Sequence, residues 1–360
     1  MTQHLPTPSG AHAPTRQCGL PSWAPIIVRI AAGSVAVTIA AACLASRGYH
    51  HLPRLRDGAA YAILGLVVWY GIVAAHEIGH LAGARMVGFR FLSVAIGPLW
   101  AYRTSKSVRM TLAASPFPLG GLAMAFPQGD FDLRRRLAIM TMGGPVLTLT
   151  VLLGSGILLV GEPSGQAARM ALPRSEAALI ATVCLSMYLL IESLAPVRFR
   201  TGHVSDGLRL LRLLREGPTS RRESALFGLA ASLQAGIRPR GWRFAWILQA
   251  TALSDGTAEE ALAHWFAYDQ AQERGWVDAA AQHLDRAMQL RHQLPVHHQS
   301  VYLLEAAFYT ASFRSNPVEA RSMFEQAAEK PTRSTAFQNL SLRAEAAVLS
   351  AEAASPSFLP

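Results

Sequence analysis

Hydrophobic positions along the chain fall into four long runs, at residues 24–45, 61–84, 137–160 and 177–197. Each is near the ~20 apolar residues an α-helix needs to cross a bilayer, so the pattern predicts four membrane spans. The first run is broken by Arg29, close to one end, where a long side chain can reach the headgroups. It is also longer than the apolar core of a secretory signal, which runs to about 7–15 residues. Between the second and third runs, residues 88–126 alternate partially and are rich in aromatic and β-branched side chains. That texture predicts short strands, two of them joined by the polar turn Thr104-Ser105-Lys106-Ser107. Strand backbone at membrane depth persists only where protein or a wet cavity shields its polar groups.

From about residue 217 the long apolar runs stop and Ala-rich helical periodicity takes over. Helices are predicted around 222–235, 241–253, 258–273, 277–290, 296–312, 317–329 and 335–353. Ala280, Leu284 and Ala287 reappear 40 residues later as Ala320, Phe324 and Ala327. This small-large-small spacing resembles the second helix of a tetratricopeptide unit, with a non-repeating helical domain as the alternative. Residues 1–23, rich in Pro, Ser, Thr and His, have little to bury and read as a disordered tail. The organisation is therefore a tail at 1–23, a membrane core at 24–216 and a soluble helical domain at 217–360. The fold class is mainly α and multi-pass, with a small membrane-associated β element and an all-α helical-hairpin domain.

Composition agrees with the pattern: 51% of residues are hydrophobic and only 16% charged, against about a quarter charged in soluble domains. The net charge of +10 is not a nucleic-acid footprint, because its placement is wrong. Residues 1–216 hold 20 basic and 9 acidic side chains, and residues 217–360 hold 13 and 14. The excess lies in the apolar half, where basic loops orient spans. Segment 84–136 carries eight basic residues, including Arg134-Arg135-Arg136, and Arg198, Arg200, Arg209, Arg212 and Arg215 follow the fourth span. The positive-inside rule places both segments, the N-terminus and the helical domain in the cytoplasm of a cell-membrane protein. Arg47, Arg54 and Arg56 in the first loop run against that placement. Cys18, Cys43 and Cys184 are too few and too scattered for a disulfide framework or a cysteine metal knuckle.

His76-Glu77-Ile78-Gly79-His80 closes the second run and is the sharpest chemical signal. On a helix His76 and His80 lie one above the other, so both imidazoles can bind one tetrahedral zinc. Glu77 lies about 100° round the helix, close enough to take a proton from water at the metal and return it to a leaving amine. The bland alternative is a chance motif on an ordinary helix. Three ionisable groups ending an apolar run count against it, because unpaired they are costly in a membrane. Two histidines leave the site one protein ligand short. Asp206 is the better candidate, although on local sequence it also reads as a cap for the helix at 207–215. His203 is the weaker rival.

Four motifs occur in order: HEIGH at the end of a span, Pro118-Leu119-Gly120-Gly121 after the strand-like stretch, Gly143-Gly144-Pro145 in the third span, and Pro196 followed by Ser205-Asp206-Gly207. Over residues 60–216 this ensemble resembles the site-2 protease family of intramembrane zinc metalloproteases. The resemblance implies that His76, His80 and Asp206 bind Zn2+, that Glu77 is the general base, and that residues 88–126 guide an extended substrate. It implies a zinc endopeptidase cutting membrane-anchored proteins in regulated intramembrane proteolysis. The chain departs from the family at Thr148 and Ser193, where asparagines that help hold the substrate backbone are frequent; a hydroxyl can still donate one hydrogen bond. The repeat-like helices at 217–360 imply a cytoplasmic protein partner. The rival reading is a catalytically silent membrane scaffold that recruits partners through that domain, and the intact Glu77 counts against it.

Overall fold

A computed structural model of the protein describes residues 24–46, 55–104, 106–112, 120–129, 131–161, 174–199, 204–329 and 335–354. The tail at 1–23, His203 and the Pro118-Leu119 pair lie outside the described residues. The chain forms two compact units, which divide at Gly236/Ile237.

In the first unit the four apolar runs are helices: α1 (Ala24–Ser46), α2 (Leu55–Met86), α3 (Leu133–Gly161) and α4 (Arg174–Leu194). All four are long and apolar enough to cross a membrane. Their surfaces match, since Ile30, Val37, Ile63, Val67, Leu153, Ile157 and Val160 are exposed rather than packed inside. Arg29 on α1 donates its Nε–H to Glu192 near the end of α4 at 2.7 Å. That ion pair puts the second turn of α1 beside the last turn of α4.

The stretch predicted as strands folds into one antiparallel sheet. Its members are β1 (Arg90–Ile96), β2 (Leu99–Arg103), β3 (Val108–Leu112) and β4 (Gly121–Phe126), in the order β3-β2-β1-β4. Gly97, at positive φ, turns β1 into β2 so that Ile96 faces Leu99. The Thr104–Ser107 turn joins β2 to β3 through a 2.7 Å bond from the Thr104 amide to the Ser107 carbonyl. β4 returns to pair with β1 and lies at the edge of the sheet.

Arg136, in the first turn of α3, clamps this region together. Its guanidinium donates to the carbonyls of Val87, Gln128 and Phe131 and lies over the rings of Phe89 and Phe131. The C-terminal end of α2 leaves carbonyls without intrahelical partners, and a buried arginine satisfies the neighbouring one at Val87. One member of the Arg134–Arg136 run is therefore structural as well as basic.

After α4 the chain turns back through a single bridge between Arg198 and Val204 and enters α5 (Asp206–Leu214). The next helix, α6 (Pro218–Gln234), belongs to the first unit, although the change in sequence texture comes before it. Three contacts hold it there. Glu223 pairs with Arg209 and Arg212 of α5. Phe227 stacks on Phe89, and Gln234 bonds Ser93 of β1.

The second unit is all helical among the described residues: α7 (Phe244–Thr251), α8 (Ala258–Glu273), α9 (Val277–Gln289), α10 (Val296–Phe313), α11 (Pro317–Ala328) and α12 (Thr335–Ala354), with two short 3-10 turns. Helix α8 packs on α9, and α10 on α11 and α12. The matched positions carry the packing. Ala280 and Leu284 meet Tyr268, Ala306 and Tyr309, and Ala320 meets Ala311 and Val348. Ala280, Ala287, Ala320 and Ala327 are completely buried. Small side chains at those points let neighbouring helices approach closely.

Candidate metal centre

His76 and His80 sit one turn apart near the C-terminal end of α2, and both side chains are buried. Asp206 is the first residue of α5. Its alternative role as the helix cap is taken by Ser205, whose hydroxyl accepts the Leu208 amide at 3.2 Å. The same hydroxyl accepts the Val197 amide and donates to the Ala195 carbonyl, which ties the start of α5 to the end of α4. Asp206 is thereby free to turn its carboxylate toward α2.

The three side chains converge. His76 Nε2 lies 3.1 Å from His80 Nε2 and 3.1 Å from Asp206 Oδ2, and His80 Nε2 lies 3.5 Å from the same oxygen. Among the described residues this is the one cluster of three such groups with ligand atoms in mutual reach.

Hydrogen bonding at the far side of each ring fixes which nitrogen carries the proton. His80 Nδ1 lies 3.0 Å from the Met140 carbonyl, which only accepts, so Nδ1 is the protonated nitrogen. The Gly144 amide nitrogen is the longer contact at 3.3 Å. His76 Nδ1 lies 2.8 Å from Thr148 Oγ1, whose one proton goes to the Gly144 carbonyl at 3.1 Å. The threonine therefore accepts from His76 Nδ1–H. Both Nε2 lone pairs then point inward, at each other and at a carboxylate.

Three acceptors that close repel one another unless a cation or protons lie between them. A tetrahedron with metal–ligand bonds of about 2.0–2.1 Å has edges of about 3.3 Å, close to the spacings found here. The donor set, two imidazoles and one carboxylate with their outer atoms held, is that of a metal site. Ser193, on α4, donates its hydroxyl to Asp206 Oδ2 at 2.8 Å.

Glu77 is buried beside this cluster, on the side facing β4. The Ala123 amide of β4 is within hydrogen-bonding reach of its carboxylate. A Cβ placed on Gly121 would lie 2.7 Å from Glu77 Cδ and nearer still to Oε1. Only glycine leaves room there for the carboxylate. Gly144 does the same for the histidines: a Cβ on it would lie 2.8 Å from His76 Nε2 and closer to His80 Nε2. Gly79 of α2 and Gly143 of α3 face each other, and a Cβ on either would overlap the other's carbonyl. That close crossing brings α3 against the histidine face of α2.

All four residues singled out from the sequence are thus brought together, and His203 lies outside the described residues. Sequence reasoning missed the contacts that Thr148 and Ser193 make in the cluster. Both were seen as departures from a substrate-binding pattern, yet they touch His76 and Asp206 directly. The spacing of Thr148, one turn beyond Gly144 on the same helix face, is the signal that could have found the first of them.

A family model for Peptidase family M50 matches residues 62–347. Searches of curated proteins and of solved structures gave no match.

Proposed function

The chain belongs to peptidase family M50, and from that premise we propose that it is an intramembrane zinc endopeptidase that cuts membrane-anchored proteins. M50 peptidases are metal-dependent proteases of the intramembrane class. The choice of zinc, the role of each residue and the substrate are our reading. The observation that carries it is the convergence of His76, His80 and Asp206 beside the buried Glu77.

In this reading His76, His80 and Asp206 hold the metal, and Thr148, Met140 and Ser193 hold those three ligands in orientation. Bound there, zinc supplies Lewis acidity, polarising a carbonyl and acidifying water. Glu77 takes a proton from the attacking water and delivers it to the departing amide nitrogen as the peptide bond breaks. Its mobility for this transfer is limited to the space that Gly121 leaves, so it stays aimed at the cluster.

A helical substrate hides its carbonyls in its own hydrogen bonds and must be unwound before attack. The outer edge of β4 supports a mode of holding it. An extended segment added to that edge lies beside Gly121 and Ala123, next to Glu77, with its carbonyls on the site. The basic loops support a cytoplasmic position for the site and for the second unit in a cell-membrane protein. The Arg29–Glu192 pair supports the same side for the start of α1. We further propose that the second unit is tetratricopeptide-like and docks a cytoplasmic protein, and that the enzyme serves regulated proteolysis.

The test is Glu77→Gln. Purified protein should retain one zinc per chain and lose all cleavage, and its natural substrates should accumulate in membranes of cells carrying only this variant. Retained cleavage would overturn the role of Glu77, and loss of zinc would reassign it as a ligand.

A further inference from the structure

The last turn of α4, residues 191–194, and the residue after it hold the Asp206 side of the cluster. Ser193 donates its hydroxyl to Asp206 Oδ2 at 2.8 Å. The Leu194 carbonyl stands where a side chain at position 207 would begin, since a Cβ on Gly207 would overlap it. The Ala195 carbonyl accepts the Ser205 hydroxyl, and Ser205 caps α5. The outer hydrogen bond of Asp206, the residue after it and the cap before it are therefore all fixed by one turn of backbone. Anything that rotates or unwinds that turn moves the carboxylate relative to His76 Nε2, 3.1 Å away.

The remaining polar side chain of that turn, Glu192, turns to α1 instead. Arg29 donates its Nε–H to Glu192 Oε1 at 2.7 Å, and its guanidinium lies 5.3 Å from the ring centre of Phe199, just beyond α4. Tyr188, one turn before Glu192, is hydrogen-bonded to Glu192 and meets the Trp69 ring of α2 edge-on at 5.9 Å. The Glu192 side chain is 15% exposed and that of Arg29 57%, so the carboxylate is the enclosed partner and the arginine reaches it from outside. A carboxylate at the end of a span is costly without a cation, and removing one partner of an enclosed pair costs more than the pair itself contributes. Toward its other end α1 rests on α4 through an apolar cluster alone, in which Ile39, Ala40 and Cys43 pack with Ile180 and Cys184.

We propose that Arg29 is a positioning residue for the metal centre: through Glu192 it fixes the last turn of α4, and through that turn the Ser193 hydroxyl that holds Asp206. The inference rests on the reading of Asp206 as a metal ligand. A pair that served assembly alone would be replaceable by any contact that keeps α1 on α4. The chain of contacts demands more, because metal binding must respond to a side chain on a helix that supplies no ligand.

Zinc affinity of the full-length protein in detergent micelles, measured by competition with a chelator, tests this. Arg29→Gln and Glu192→Gln should each weaken zinc about 10-fold, the lower end of what loss of an outer-shell partner costs. The two combined should cost no more than either alone. Arg29→Lys keeps the charge and should restore most of the affinity. Ser193→Ala should weaken zinc about 10–100-fold, and adding Arg29→Gln to it should cost nothing further, because the path runs through that hydroxyl. Cobalt in place of zinc has visible absorption that reports ligand geometry, and its band should move the same way in Arg29→Gln and Ser193→Ala. Ile39→Ala thins the apolar contact between the same two helices; it should lower the melting temperature and leave zinc affinity and the cobalt band unchanged. Wild-type affinity in Arg29→Gln, or full additivity with Ser193→Ala, overturns the proposal. So does an equal loss of zinc in Ile39→Ala, which would make α1 a structural support only. Glu192→Gln, which is isosteric, decides the matter should Arg29→Gln fail to fold. Wild-type protein that binds no zinc would refute the proposed function and this inference with it, whereas the other adverse results refute this inference alone.

Discussion

Gly144→Ala tests the geometry of the centre without touching any ligand. The added methyl would lie 2.8 Å from His76 Nε2 and closer to His80 Nε2, where about 3.4 Å is normal contact. The shortfall is roughly 0.6–1 Å, and the backbone of α3 cannot yield it, because Gly143 is already against Gly79. The imidazoles must move instead, and both are buried with their Nδ1 atoms bonded. Metal sites tolerate ligand displacements of about ±0.2 Å. Loss of an outer-shell partner alone weakens metal binding about 10–100-fold. Displacing two ligands at once should reach at least the upper end, about 3 kcal/mol. Zinc affinity would be measured by competition with a chelator, using purified full-length protein. Gly154→Ala and Gly156→Ala, on the same helix with nothing within 4 Å of their added Cβ atoms, should bind as wild type. Wild-type affinity in Gly144→Ala would refute the placement of the two histidines against α3.

Four further outcomes follow from the same contacts. Thr148→Ala removes the acceptor for His76 Nδ1–H and should weaken zinc about 10–100-fold, with Thr148→Ser restoring most of it; the chelator competition reads both. Gly121→Ala crowds Glu77 rather than the ligands, so zinc content should hold while cleavage drops at least 10-fold, and parallel loss of both would contradict the separation of roles. Chelation of the metal leaves three acceptors facing one another, so the chelated protein should melt at a lower temperature, and Asp206→Asn should lessen that difference. Asp269 has a folded-state carboxyl raised to about 8, above its unfolded value, so its contribution is present at low pH and lost as pH rises through 8. Hydrogen exchange of α8, corrected for the intrinsic rate, should therefore slow on going from pH 8 to 6, and Asp269→Asn should abolish the trend.

The spans and the paired histidines were legible because each follows from a short-range period. Apolar runs of ~20 residues have few structural readings, and a spacing of four places two side chains on one helix face whatever else the chain does. Asp206 was less legible, since Asp before a helix reads equally as a cap. Its position beside the histidines depends on local chemistry that sequence does not rank: Ser205, one residue earlier, caps the helix instead. The sheet order β3-β2-β1-β4 and the pairing of β4 with β1 are long-range facts, invisible to alternation. The division at Gly236 rather than near 217 has the same origin. Helix α6 is not apolar enough to read as membrane-associated, yet Phe227, Glu223 and Gln234 each find a partner in the first unit. Glycine was the hardest signal, because its meaning lies in what stands opposite. Gly121 and Gly144 matter only because Glu77 and the imidazoles occupy the space that a methyl would fill.

If the chain works as the intramembrane peptidase proposed above, the depth of the site accounts for its sheet. His76 and His80 precede the end of α2 at Met86 by ten and six residues, which at 1.5 Å per residue is about 15 and 9 Å along the helix. With α2 spanning a bilayer as proposed, hydrolysis at that depth needs water and an extended peptide where lipid would admit neither. Exposed backbone there is tolerable only if protein covers it or it borders a wet cavity. On the proposed reading the sheet meets both requirements: β4 reaches Glu77, its inner edge is paired to β1, and its outer edge offers backbone groups beside the site. Those groups can solvate a water path or a substrate backbone, but not lipid. A proline at Ala123, which removes the amide near Glu77, should therefore reduce cleavage without lowering zinc content. If cleavage of an unfolded soluble peptide fell as much as that of a membrane-anchored substrate, the loss would lie in the aim of Glu77. If only the anchored substrate suffered, it would lie in strand addition.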